Sequence, residues 1–271
     1  MVRLLVFIYE EQEGCIKIAG FVSSNFRITN GTRQGSVLSP TLFSVYLDDI
    51  IKILRNKGLG CHIAGIWVGA TAYADDLALM APSRETMDKM LNVCDNYAKE
   101  HNLVFSTDKN PVKSKSKCIF MSGKEGSAVP ENVPTNLQLD GKDLPWVATA
   151  SHLGHEMHQS CSMDHDVKVK RAIFIGSSVD IREKFGFAKP EQILKAVRIY
   201  SLYLYGGMLW DFTSERTSQF CKAWNTCIKL AYDLPRNTKT FIVDNYLAIN
   251  FDSVMKELFS RYVNFVKSLQ K

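Results

Sequence analysis

Apolar residues recur along the chain with two different periods, and the change of period divides it. From Ile16 to Phe26 they cluster as in a strand, and Gly31 to Gly35 reads as a polar turn. Ser39 and Pro40 then read as an N-cap followed by proline at the first helical position. Behind them Phe43, Tyr46, Leu47, Ile50, Ile53 and Leu54 recur at helical spacing. Ile63 to Val68 and Thr71 to Met80 predict strands. The second is interrupted by Asp75 and Asp76, which suit a tight turn between Ala72-Tyr73-Ala74 and Leu77-Ala78-Leu79. Ser83 caps a second predicted helix, with Met87, Met90, Leu91, Cys94, Tyr97 and Ala98 as its apolar stripe.

Near residue 125 the texture changes, because Gly123, Gly126, Pro130, Pro134, Gly141 and Pro145 accumulate in a loop-rich joint. Beyond about Asp164 the pattern is helical. Pro190 opens a helix with Ile193, Leu194, Val197, Tyr200 and Leu204 on one face, and Gly206-Gly207 reads as its terminator. Phe220, Trp224, Cys227, Ile228 and Ala231 mark another helix. A last one begins near Asp252, with Met255, Leu258, Phe259, Tyr262 and Phe265. The expectation is an alpha/beta region followed by a helical bundle, α+β as a whole.

Composition narrows the class without choosing within it. The 271 residues are 46% hydrophobic and 23% charged, which excludes a disordered or fibrous chain. Seven scattered cysteines with no Cys-x-x-Cys pair argue against a disulfide framework and predict a reducing compartment. No apolar run is long enough for a membrane span, and Leu4 to Tyr9 is too short for a signal peptide, so the expectation is a soluble intracellular protein, nuclear or cytoplasmic. A net charge of +5 permits a nucleic-acid partner without requiring one.

The candidate chemistry centres on Asp75 and Asp76, two adjacent carboxylates inside an otherwise apolar hairpin. Either they sit in a solvated turn, or they hold magnesium, since hard cations take oxygen ligands and polymerases use paired ions. Asp48-Asp49 is the same dipeptide on a helix, where a solvated face explains it.

Gly31-Thr32-Arg33-Gln34-Gly35-Ser36-Val37-Leu38-Ser39-Pro40-Thr41-Leu42-Phe43, followed by Tyr73-Ala74-Asp75-Asp76, closely resembles the reverse transcriptases of non-LTR retrotransposons. In that family the first stretch binds template and nucleotide, and the second is the catalytic hairpin of the palm. Phe105 to Asp108 with Lys113 to Cys118 resembles the next palm motif, where a lysine assists phosphoryl transfer; Lys115 is favoured here, with Lys113 or Lys117 as alternatives. Leu144 to Trp146 through His152-Leu153-Gly154-His155 resembles the primer grip. Tyr205 to Trp210 with Trp224-Asn225-Thr226 resembles the helical thumb of the jockey-like branch, while Thr238 to Phe241 stands where relatives often carry Thr-His-Thr-Tyr.

The resemblance implies a partial polymerase palm, an antiparallel sheet with helices, over residues 1–150, and an all-helical thumb over 151–271. It implies Asp75 as metal ligand, Asp76 as supporting carboxylate, Lys115 near the leaving phosphate, and Arg33, Gln34, Gly35, Tyr73 and Ala74 against template, nucleotide and primer end. Cofactor and partners would be two Mg2+ ions, an RNA template with DNA primer, and dNTPs. Relatives also carry a first catalytic carboxylate upstream, in an Asp-x-x-x-Ala-Phe-Asp pattern. Here the first Asp is Asp48, and Glu10, Glu11 and Glu13 lie in a polar turn, so the chain is expected to begin inside the domain and to lack polymerase activity alone. An uncovered palm edge would then favour self-association.

Three further features carry weaker expectations. His152, His155, His158, Cys161 and His165 invite a zinc reading, but their spacing matches no ligand pattern and the primer-grip resemblance accounts for two of them. Lys113, Lys115 and Lys117 alternate with serines, so on an extended segment they would share a face, for edge protection or for phosphate contact. From Asp166 to Tyr200 eight Lys or Arg face four acids, a bias that fits tracking of a duplex backbone. The competing functional class is a non-catalytic nucleic-acid-binding remnant, with a zinc-dependent interaction module behind it.

Overall fold

The computed structural model describes residues 2–29, 31, 35–108, 110, 113–122, 137–202, 204–240 and 253–269. The predicted positions Arg33 and Gln34, most of the joint near residue 125, Phe241 and Asp252 lie outside them. Among the described residues there are seven α-helices and twelve short strands, a mixed α+β chain as expected. The strands form six separate two-stranded antiparallel ladders, so the single palm sheet expected from the sequence is not formed among the described residues. Each strand is only two or four residues long, too short to recruit a third. No described helix is long and apolar enough to cross a membrane. The chain divides into two compact units, Met1–Val104 and Phe105–Lys271.

The first unit begins with α1 (Val2–Glu10). The predicted strand over Ile16 to Phe26 is instead a nested pair of ladders: β1 (Glu13–Gly14) with β4 (Phe26–Arg27), enclosing β2 (Lys17–Ile18) with β3 (Phe21–Val22). The reversal is at Ala19-Gly20, both left-handed, the backbone that a two-residue hairpin loop demands. α2 (Ser39–Asn56) carries Pro40 in its first turn, but Leu38 rather than Ser39 is its N-cap and provides no side-chain cap. Part of its predicted stripe is buried, at Leu47, Ile50 and Leu54, whereas Tyr46 is exposed. The helix stops at Gly58, whose left-handed φ lets the Leu59 amide return to the Leu54 carbonyl. Asp48 and Asp49 are solvated and share Lys52.

The predicted strand over Ile63 to Val68 is also a hairpin, β5 (His62–Ile63) with β6 (Ile66–Trp67), turned at the left-handed Ala64-Gly65. β7 (Ala70–Tyr73) pairs with β8 (Asp76–Leu79) and packs on α2. α3 (Arg84–Glu100) is capped by Ser83 as predicted, its side chain accepting from the Thr86 amide, and buries Met90, Leu91, Cys94, Tyr97 and Ala98. Tyr97 donates its hydroxyl to the Tyr46 carbonyl, which ties α3 to α2.

The second unit holds β9 (Gln138–Leu139) with β10 (Lys142–Asp143) and β11 (Thr149–His152) with β12 (His155–His158). Helices α4 (Asp164–Lys184), α5 (Pro190–Tyr200), α6 (Glu215–Ala231) and α7 (Ser253–Leu269) follow. Phe174 of α4, Ile193 and Val197 of α5, Phe220, Trp224 and Ile228 of α6, and Leu258 of α7 share one core with Leu204 and Trp210, the bundle that the periodicity predicts. α5 ends at Tyr200, not at Gly206-Gly207; Tyr200 is exposed. The glycine pair serves packing instead. A Cβ at Gly206 would lie 1.8 Å from the His155 ring, and one at Gly207 2.4 Å from Leu258. All seven cysteines are free thiols, and burial pushes Cys94 up to about 12.

Hairpin β11–β12 is tied to the bundle through Asp166, which is fully buried. Its Oδ1 accepts from the Glu156 amide at 3.0 Å, and its Oδ2 from Lys170 Nζ and Trp210 Nε1, both at 2.9 Å. Burial alone would raise this carboxyl; the hydrogen bonds from Glu156, Lys170 and Trp210 outweigh it and hold the carboxyl below its ordinary value.

A Cβ at Gly60 would meet Gly69 Cα at 2.4 Å, at a left-handed φ of +116°, where the Met80 amide also closes on the Gly69 carbonyl. Gly60→Ala should therefore destabilise the first unit by about 2–4 kcal/mol in denaturant melts. Because the Asp166 carboxyl is depressed, its contribution is present above the unfolded-state value of about 3.9 and is lost as pH falls through the lower folded value. Acid titration should show loss of second-unit stability below about pH 4, and Asp166→Asn should flatten that limb.

Candidate functional site

The Asp-Asp hairpin differs from the four other two-residue hairpins among the described residues in turn chemistry. The other two-residue loops are Ala19-Gly20, Ala64-Gly65, Asp140-Gly141 and Leu153-Gly154, each with two left-handed residues and glycine second. In β7–β8 the loop is Ala74-Asp75, and only Ala74 is left-handed, at φ +52°. A positive φ at the first loop position favours glycine. Alanine there costs about 1–2 kcal/mol of backbone strain, as it does at Ala19 and Ala64.

The turn sits one residue earlier than the sequence suggests. Asp75 is in the loop, whereas Asp76 opens β8 and pairs with Tyr73. The two-residue loop forces this register, since Ala72 pairs with Leu77 and Ala70 with Leu79. Tyr73 is 69% exposed, and both carboxylates are exposed. Neither aspartate side chain has an ion-pair or hydrogen-bond partner among the described residues. At the base, Ala70 is buried against α2, and the Met80 carbonyl accepts from the Cys61 amide, so hairpin β5–β6 is sewn to hairpin β7–β8. The result is a rigid base with two like charges at the tip.

A hard divalent cation takes six or more oxygen ligands. No group of three or more His, Cys, Asp or Glu able to hold a metal ion occurs among the described residues. Asp75 and Asp76 thus supply part of a donor set and not the whole of one. The histidine segment likewise forms no metal group: His158 stacks on His165 with centroids 5.4 Å apart, and its Nδ1 lies 2.7 Å from Ser160 Oγ.

Of the other predicted site residues, Gly35 is exposed and left-handed at φ +85°. Lys115 lies in the second unit, on a bent segment and not the strand that the alternation suggested. Exposure nevertheless alternates there. Ser114 is buried, accepts from the Asp108 amide at 3.3 Å and donates to the Ser116 carbonyl at 2.6 Å, while Lys113, Lys115 and Lys117 face solvent. The basic run after Asp166 is partly committed inside the fold: Lys170 is buried on Asp166, Arg171 donates to the Gln219 carbonyl, and Arg182 pairs with Asp233. Lys168, Lys184, Lys189, Lys195 and Arg198 remain exposed.

The profile of the reverse transcriptase (RNA-dependent DNA polymerase) family matches residues 5–155, more than half of the chain. The chain belongs to the reverse transcriptase family. The matched span holds Gly35, the Asp75-Asp76 hairpin, Lys115 and the tip of β11–β12. The chain is also similar to retrovirus-related Pol polyproteins of R2 retrotransposable elements. It is 28% identical to one from Popillia japonica over 51% of this chain and 22% of the relative. It is 27% identical to one from Nasonia vitripennis over 46% and 12%. The type-2 element R2DM of Drosophila melanogaster gives 30% over 33% and 8%. The chain thus spans less than a quarter of the length of each of these relatives.

Ala74 and the carboxylates beside it give opposite expectations for substitution. Ala74→Gly should stabilise the first unit by up to about 1 kcal/mol, the strain relieved less the entropy glycine adds to the unfolded chain. Asp75→Ala removes an exposed group, and its unfolding free energy should stay within about 0.5 kcal/mol of wild type in the same melts.

Proposed function

We propose that this chain is the palm and thumb portion of the RNA-directed DNA polymerase of a non-LTR retrotransposon, of the jockey-like branch, with residues 1–150 as partial fingers and palm and 151–271 as primer-grip end and thumb. The observation that carries the reading is the Tyr-Ala-Asp-Asp hairpin, anchored at its base, with two exposed carboxylates at its tip.

In this reading Asp75 and Asp76 are the chain's magnesium ligands, and magnesium when bound lowers the pKa of the attacking hydroxyl and stabilises the leaving phosphate. Tyr73 packs beside the primer end. Arg33, Gln34 and Gly35 meet template and nucleotide, and glycine at Gly35 lets the backbone approach closely. Lys115 sits near the leaving phosphate, on a segment braced by Ser114. The exposed cations of α4 and α5 follow the duplex backbone. RNA template, DNA primer and dNTPs are the partners, in an intracellular compartment. The exposed Leu4, Phe7, Ile18, Phe21 and Val22 support self-association of the first unit.

A second reading, nucleic-acid binding without catalysis by this chain, is favoured by the incomplete donor set at the hairpin. Magnesium-dependent primer extension and duplex affinity are measured on the same preparation, and extension separates the two readings only when it is positive. The expected result is extension no greater than that of Asp75→Ala. Affinity for an RNA–DNA duplex should fall about tenfold or more between 50 and 200 mM salt. Extension clearly above Asp75→Ala makes the chain a polymerase by itself, and affinity indifferent to salt removes the nucleic-acid role.

A further inference from the structure

Two segments that the sequence sets apart meet in the second unit. His155 and Glu156 open β12, and Tyr205 to Trp210 lie some fifty residues later, yet both converge on Asp166 of α4. Lys170 Nζ bridges the Asp166 carboxylate and the Tyr205 carbonyl, the latter at 3.0 Å. The next residue, Gly206, leaves the space that the His155 ring fills, and His155 Nδ1 stands 3.7 Å from Asp166 Oδ2. Leu153 and Gly154, the tip of the same hairpin, are exposed. The loop-proximal end of β12, at His155 and Glu156, is therefore held on Asp166 and Gly206 while the Leu153-Gly154 loop faces solvent.

Stability alone does not account for this arrangement. Taking a carboxylate and an ammonium out of water is costly, and apolar side chains of similar volume usually stabilise a core at least as well as a buried ion pair. What a carboxylate with three directional donors adds is a fixed orientation, because each donor comes from a different place in the chain: the β12 backbone, α4 and Trp210. We infer that Asp166 is a positioning residue, which fixes the attitude of hairpin β11–β12 on the helical bundle and through it the recognition of a primer 3′ end. The inference rests on the proposed reading of that hairpin as the primer-facing element. Asp166 itself is sealed from nucleic acid and acts only through the Glu156 amide and its neighbours.

The test uses the full chain and two variants that disturb the lock differently. Asp166→Leu/Lys170→Met removes both charges together and so avoids a lone buried ammonium. Gly206→Ala keeps the charges but drives a Cβ into the His155 ring. Hydrogen exchange is followed over residues 149–158 and over α6, and affinity is compared for an RNA–DNA duplex with a recessed primer 3′ end and for a blunt duplex of equal length. Wild type is expected to prefer the recessed end. In both variants the hairpin amides should exchange faster while α6 keeps its protection, and the preference should fall by about fivefold or more, the scale of one ordinary net hydrogen bond. Variants that keep the preference overturn the inference, and so does loss of α6 protection, since Asp166 would then hold the bundle rather than the hairpin. Wild-type protein that binds both duplexes equally overturns the primer-facing reading and the inference with it, and the wild-type measurement alone tells that case from the others.

Discussion

A two-stranded hairpin does not hold its shape alone in water, and this chain builds its β structure from such pairs alone among the described residues. Every hairpin must borrow its rigidity from something else, and the source differs between the two units. In the first, β7–β8 leans on α2 through Ala70 and is stitched at its base to β5–β6, where Gly60 and Gly69 let two backbones cross closer than any Cβ would allow. In the second, β11–β12 is held by hydrogen bonds to a buried carboxylate. Close packing in one case and directional polar contact in the other solve the same problem.

The first solution suits the chemistry proposed for the hairpin it supports. Two adjacent carboxylates repel one another, and a hairpin bearing them at its tip gains nothing from them in stability. Its loop also places Asp75 second, where four comparable loops place a glycine. The rigid base holds both carboxylates in place. A reverse transcriptase-family chain that kept Asp75 and Asp76 partnered within the fold would have their oxygens engaged, whereas here they point outward without partners among the described residues.

What could be read from the sequence follows from which interactions are local. The stripes of α2, α3 and α6, the Ser83 cap and the turn at Asp75 depend on residues within one or two helical turns, and periodicity reaches that far. The strands predicted over Ile16 to Phe26 and Ile63 to Val68 failed because an apolar run hides a two-residue reversal. The signal is present in Ala19-Gly20 and Ala64-Gly65, but the apolar run continues on either side of it. Gly206-Gly207 was legible as special and not as to why, since the reason is a histidine ring some fifty residues away. Lys170 looked like one more cation of a basic face. Only its partner Asp166, four residues earlier and buried with it, shows otherwise, and an i, i+4 pair is as common on a solvated helix surface as in a core.

The chain thus uses the same carboxylate group in two opposed ways, and the contrast constrains the proposed mechanism. Asp166 has each oxygen engaged by donors from inside the fold, so its charge is neutralised locally and its position is settled before any ligand arrives. Asp75 and Asp76 are left open at a tip whose backbone is already strained. Preorganisation of this kind places the cost of ordering in the folding step, so that a cation or a phosphate meeting the hairpin has less conformational freedom to remove. Among the described residues the hairpin holds only part of a metal donor set, so in the proposed reading an ion bound there needs further ligands to complete its shell. Rigidity at the base and incompleteness at the tip are then two sides of one arrangement, because an open charged pair can be kept in place only by a scaffold that does not depend on it.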